Sequence, residues 1–209
     1  MRSVKTPEAS QEGSPSRTFG EVRRRLVKEV HALDDAVYDA VAGTPTPTLD
    51  LPVTWLSNAA NYSQLWVAIA ATLAAAGGSR GRRSAARALT ALGVTSITAN
   101  LAVKHLLPRR RPVRLTATPS REARMPRSSS FPSGHTATAF AFATAVTADF
   151  PLLGVALFGL ATVVGYSRVH TGVHYPTDVV AGGILGFAMG TVVTEATLRA
   201  GPLSRRPSA

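Results

Sequence analysis

This sequence predicts an all-α, membrane-embedded antiparallel helical bundle: about five transmembrane helices, preceded by an N-terminal amphipathic surface helix. Three observations lead there. Five apolar stretches follow one another within fewer than 150 residues, separated by short polar joints. The segment before them repeats its apolar residues every three or four positions, and there is neither a convincing strand nor an internal repeat. Composition agrees. The 209 residues carry 23 Lys and Arg against 12 Asp and Glu, a net charge of +11, yet 45% are apolar and only 17% charged. Disorder requires low hydrophobicity as well as charge, so a disordered basic tail protein is excluded. With no Cys, a disulfide framework, a Cys-based zinc site and a thiol nucleophile are excluded too.

Residues 1–17 are rich in Ser, Pro and charge and read as a disordered lead. They lack the apolar core and cleavage site of a secretory signal, so no cleavage is expected. Residues 18–54 read as an interfacial helix and a loop. Thr18 and Glu21 have capping-box spacing. Val22, Leu26, Val30, Leu33, Val37 and Val41 form one face, while Arg23, Arg24, Arg25, Lys28, Asp34, Asp35 and Asp39 form the other. So many charges exclude a span, and the helix is expected to lie on a membrane or on the rest of the protein. Gly43, Pro45 and Pro47 are expected to end it, with a loop over TPTPTLDLP.

The transmembrane domain is expected over 55–198. Its first stretch, 55–77, carries Trp55, Tyr62 and Trp66 towards one end, as rings at a lipid–water boundary would be placed. It stops at GGSRGRRS. Further apolar stretches cover 86–107, 136–150, 152–165 and 179–198. A span takes ~20 apolar residues, so the third and fourth stretches must extend into their flanking sequence to cross. In the last, Gly182, Gly186 and Gly190 have the small-xxx-small spacing of close helix packing. Residues 199–209 read as a basic tail.

Three strings place reactive side chains at the ends of these stretches: Lys104 to Arg111 and Pro112, then Pro132-Ser133-Gly134-His135, then Ser167-Arg168 through His174 to Asp178. If the stretches alternate across a bilayer, all three lie on one side. Lys104, Arg111 and Arg168 are enough cations to balance a phosphate dianion, with Arg suited to two-pronged capture of its oxygens. Ser133 and Gly134 precede a helix, so their N–H groups are expected to point at an anion held at its N-terminus. Asp178, four residues after His174, can fix the imidazole tautomer and make the other nitrogen a nucleophile. His135 then serves as the acid that protonates the leaving oxygen, and later as the base for water. A phosphohistidine would form and be hydrolysed, with no metal or other cofactor required. A metal set of His170, His174 and Asp178 is the competing reading, and Gly172 and Pro176 argue against the continuous helix it needs.

Taken together, the strings K-x6-RP, PSGH and SR-x5-H-x3-D resemble the signature of the type 2 phosphatidic acid phosphatase superfamily, with no letter missing. The resemblance implies an integral membrane phosphatase acting on a lipid-linked phosphate. The substrates of similar proteins are phosphatidic acid, phosphatidylglycerol phosphate, polyprenyl diphosphates and polyprenyl-phosphoryl sugar phosphates. It also implies His174 as nucleophile with His135 and Asp178, and phosphate bound by Lys104, Arg111, Ser133, Gly134 and Arg168. The superfamily includes vanadate-dependent haloperoxidases, which are soluble and much longer. A non-catalytic lipid-phosphate-binding membrane protein is the other alternative, and it predicts the loss of at least one signature residue.

The Ala- and Arg-rich composition points to a bacterial plasma membrane. Arg109, Arg110, Arg114, Arg121, Arg124 and Arg127 on the motif side, joined there by Arg23, Arg24, Arg25 and Lys28 if there are five spans, outnumber Arg80, Arg82, Arg83, Arg205 and Arg206 opposite, which places the site at the cytoplasmic face by charge. The basic loop lacks aromatics for stacking on bases, so no nucleic-acid partner is expected.

Overall fold

The computed structural model describes residues 18–113, 119–123 and 125–200. The expected lead at 1–17 lies outside them, as does the expected tail from 201 onward. All regular structure among the described residues is helical. Helix α1 (Phe19–Gly43) opens on its capping box, with the Thr18 N–H donating to Glu21 Oε2 at 3.0 Å. Its apolar stripe does not face protein: Val22, Leu26, Val30, Leu33 and Val37 are exposed. Helix α1 meets the bundle through Asp34 and Tyr38, both buried.

The loop expected before residue 55 is mostly helix. Helix α2 (Pro47–Ala59) opens on Pro47, whose missing N–H is no loss in a first turn that has no acceptor for it. The single stretch expected over 55–77 is also interrupted. The helix breaks at 60–63, where Tyr62 and Ser63 take left-handed φ of 52° and 60°, and resumes as α3 (Gln64–Ala76). Ser57, Asn58, Asn61 and Ser63 cluster at this break. Unwound backbone at membrane depth is sustained only where it faces protein or a cavity. Trp66 corrects the boundary expectation. Beyond the break it turns into the core against Phe142, ring centroids 5.3 Å apart, while Trp55 and Tyr62 stay exposed.

The joint GGSRGRRS is not a polar loop either. Gly77 and Gly78 (φ +59°) reverse the chain, and the rest of the joint is already helix α4 (Gly78–Ile97). A Cβ on Gly81 would sit 2.1 Å from the Leu73 carbonyl oxygen, so this tight hairpin requires glycine there. Helix α4 continues through a π-helical turn (Thr98–Val103) into α5 (Lys104–Leu106), one run of 29 residues. Helices α6 (Gly134–Thr147), α7 (Pro151–His170) and α8 (Pro176–Ala200) complete the bundle.

Helix α6 is the axis. It packs on α4, α7 and α8, and Ala137, Ala139, Ala141, Ala143, Ala145, Phe142 and Val146 are fully buried. Its 14 residues span roughly 21 Å, short of the ~30 Å hydrocarbon core, but protein surrounds it. The glycines of α8 lie directly on its backbone: a Cβ on Gly186 would come within 2.1 Å of Ala137 O. Close packing at the glycine spacing is therefore observed. The large apolar side chains point outward instead, with Leu101, Val155, Val180, Ile184 and Phe187 exposed. Small residues inside and large ones outside is the pattern expected where lipid, not water, surrounds the helices. Three helical runs are long and apolar enough to cross a membrane: Gly78–Leu106, Pro151–His170 and Pro176–Ala200.

Candidate active site

Where α5 and α7 end and α6 and α8 begin, a cavity of about 290 Å³ opens. Lys104, Arg111, Gly134, His135 and His174 line it together with Ser96, Asn100 and Ser128. Ser133, Arg168 and Asp178 are buried behind the lining. All three strings thus converge on one hollow.

Each side chain arrives there for a local reason. The π-helical turn at 98–103 precedes Lys104 and carries Asn100 to the cavity wall. Lys104 Nζ donates to Ser128 Oγ at 3.3 Å. The Arg111 fork is held by carbonyls: Nε donates to Ser128 O (3.0 Å), Nη1 to Val173 O (2.7 Å) and Nη2 to Ser129 O (3.1 Å). Every one of these acceptors is neutral, and among the described residues neither cation is in an ion pair.

His174 sits in the turn between α7 and α8, buried, with Nε2 3.3 Å from Arg111 Nη1. Its Nδ1 faces Asp178 Oδ2 at 3.5 Å, long for a hydrogen bond. Burial pushes the imidazole down to about 4; Asp178 opposes that shift, and Arg111 and Arg168 add to it. At neutral pH the ring is uncharged and holds a lone pair. Asp178 is fixed in the first turn of α8, where its Oδ2 accepts the Tyr175 N–H at 2.9 Å. Across the cavity His135 Nε2 lies 3.0 Å from Asn61 Oδ1, in the break between α2 and α3.

One expectation is corrected in detail. The Ser133 N–H does not point into the cavity; it donates to Asp178 O at 2.9 Å, and its Oγ accepts from Thr136 Oγ1 at 2.9 Å. Ser133 is the N-cap of α6 and a strut to α8, and of this pair only Gly134 reaches the lining. His170 does not join His174 and Asp178, its Nε2 lying 3.1 Å from Asp50 Oδ1.

Sequence reasoning missed a layer behind these residues. Arg168 Nη1 donates to Ser57 Oγ at 2.7 Å. Arg121 donates to Asp50 Oδ1 at 2.8 Å and to the carbonyls that end α1. Arg109 bridges Asp34 and Asp178 at 2.6 and 2.9 Å. Arg109 and Arg121, which the sequence presents as flanking charges, are both paired with carboxylates. The only sign of this in the sequence is that α1 and α2 carry Asp34 and Asp50 beside apolar positions.

The fold and the cavity define a helical-bundle protein with a cation-lined pocket at one end. A family model described as the PAP2 superfamily matches residues 84–201, more than half of the chain, and the chain belongs to that superfamily. Over 69 residues it is 44% identical to a lipid A 1-phosphatase of Rhizobium etli, covering 32% of this chain and 30% of the relative. Over 53 residues it is 49% identical to that of Rhizobium johnstonii, covering 25% and 22%. The chain thus spans less than a third of the length of these curated relatives. Among solved structures, it resembles a transmembrane PAP2-type phosphatidylglycerolphosphate phosphatase from Bacillus subtilis with a TM-score of 0.64 and 25% identity, covering 84% of this chain and 89% of that one. Aquifex aeolicus LpxE (TM-score 0.62, 23% identity, 78% and 95% covered) and a bacterial vanadium-dependent iodoperoxidase (0.52, 15%, 87% and 51%) share the fold.

Proposed function

We propose that this protein is an integral membrane phosphatase that hydrolyses a lipid-linked phosphate monoester or diphosphate through a phosphohistidine, without a metal. One observation carries the reading: Lys104 and Arg111 face a cavity beside a neutral, buried imidazole, and among the described residues only neutral groups meet their charge. Half-buried cations facing a cavity without a counter-charge suit a site whose anion is the substrate. His174 Nε2 attacks phosphorus, the bond to the lipid oxygen breaks, and His135 gives its proton to that oxygen. Water then attacks the phosphohistidine with His135 as base, releasing inorganic phosphate and restoring His174. Lys104, Arg111, Arg168 and the Gly134 N–H hold the phosphoryl oxygens, while Ser133 supports them by capping α6. Similarity to proteins named for lipid A 1-phosphate and phosphatidylglycerol phosphate supports a lipid substrate.

In this reading α3, the α4–α5 run, α6, α7 and α8 make five passes of a bacterial plasma membrane. The exposed apolar stripe of α1 lies in the bilayer interface, and the pocket opens to the cytoplasm. With no native Cys, single cysteines at Ser79 and Val113 report the topology; an impermeant reagent that labels Val113→Cys in intact cells overturns the cytoplasmic placement. The function itself is tested on detergent-purified protein with EDTA present, by phosphate release from phosphatidic acid, phosphatidylglycerol phosphate, undecaprenyl diphosphate and lipid A. Release that His174→Ala abolishes supports the reading. No release from any of the four, or release that requires added metal, overturns it.

A further inference from the structure

We infer that Asp34 and Arg109 are positioning residues for the His174–Asp178 pair, a buried charge bridge through which α1 sets the state of the reacting imidazole. The inference rests on His174 being the nucleophile of the proposed reaction. Helix α1 lies outside the residues the family model matches, 84–201.

Asp34 is 1% exposed on a helix that is otherwise largely open to its surroundings. Its Oδ1 accepts the Thr177 N–H at 2.8 Å, in the first turn of α8. Its Oδ2 accepts from Arg109 Nη2 at 2.6 Å and from the Thr177 hydroxyl. A carboxylate from α1 therefore occupies the N-terminus of α8, where unpaired N–H groups and the helix dipole favour negative charge. The other arm of Arg109 donates to Asp178 Oδ1 at 2.9 Å and to Thr177 Oγ1 at 2.8 Å. The guanidinium lies over the Tyr175 ring, 4.3 Å from its centroid, and Tyr38 of α1 packs edge-on against that ring. With Oδ1 taken by Arg109 and Oδ2 shared with the Tyr175 N–H, the Asp178 carboxylate has one orientation, towards His174 Nδ1.

The charges matter as much as the geometry. Asp34, Asp178 and Arg109 together leave one net negative charge behind an imidazole that becomes cationic as it attacks. The other charged or titratable groups around His174 are Arg111 from the loop after α5, Arg168 from α7, His135 from α6 and Lys104 of α5, which lines the same cavity. Removing the Asp34 charge leaves Arg109 less compensated and disfavours a protonated His174. Removing Arg109 leaves two bare carboxylates and favours it. An inert anchor for α1 has no such opposed signs.

The test compares wild type, Asp34→Asn and Arg109→Gln by the ratio of kcat/KM at pH 4 to that at pH 7. The substrate's own ionisation is common to all three and cancels between them. For shifts of about one unit from an imidazole near 4, Asp34→Asn raises the ratio roughly twofold and Arg109→Gln lowers it roughly fivefold. The same opposed shifts appear in the imidazole ¹⁵N resonances of His174, which need no substrate, so failure of the phosphatase reading and failure of this inference are told apart. Shifts in the same direction, or none in either variant, overturn the inference. If Asp34→Asn does not fold, Arg109→Gln decides alone: an upward His174 shift supports the bridge and an unmoved one overturns it.

Discussion

The two ends of this bundle treat arginine in opposite ways. At the closed end, where α6 turns into α7, Arg87 Nη1 meets Asp149 Oδ2 at 2.6 Å and Nε donates to Thr197 Oγ1 at 3.1 Å. Arg80 caps the Asp149 carbonyl and lies over the Phe150 ring. At the open end, among the described residues, Arg111 meets only carbonyl and hydroxyl oxygens and an imidazole nitrogen, and it faces a cavity. A buried cation with a carboxylate partner holds the structure together; a half-buried one that faces a cavity without such a partner is poised for an anion from outside. The same contrast is drawn within three residues of sequence, because Arg109 is bound by two carboxylates and Arg111 by none.

That division of labour breaks first if His174→Ala retains activity. Loss of the nucleophile should lower phosphate release on the order of 10⁴-fold or more while the melting temperature holds. Arg87→Gln at the closed end should do the reverse. It strands the Asp149 carboxylate, at a cost of about 3–5 kcal/mol, and should lower the melting temperature by roughly 10 °C with kcat/KM unchanged. A large loss of activity in that variant would erase the distinction between the ends. Arg111→Lys keeps the charge but loses the fork that grips Ser128, Val173 and Ser129, and should lower kcat/KM about 10²-fold. Lys104→Gln sharpens the comparison further. It relieves repulsion with Arg111 and Arg168, so the melting temperature should rise by a few degrees, roughly, as phosphate release falls. Scanning calorimetry beside the release assay reads both.

The site strings were legible because the chemistry demands particular letters at fixed separations from helix ends. Lys104, Arg111, Gly134, His135 and His174 were all named from sequence, and all five line the cavity. Ser133 was less readable, since a helix-capping serine and a phosphate-facing one look alike until the direction of its N–H is known. The helix break at 60–63 was hidden for a similar reason. Trp55, Tyr62 and Trp66 fit a boundary stripe in one dimension, and only the left-handed turn at Tyr62 and Ser63 sends Trp66 inward.

By itself the sequence determined the helical class, the close-packing glycines of the last helix and the letters of the three strings, because periodicity and small-residue spacing are local properties carried along the chain. The tertiary structure alone decided which of Arg109, Arg110 and Arg111 meets a carboxylate, and that Asp34 of α1 stands behind Asp178 of α8. Those choices join residues as many as 143 positions apart. A charge on a helix face has no assigned partner until packing brings another helix, or a cavity, against it.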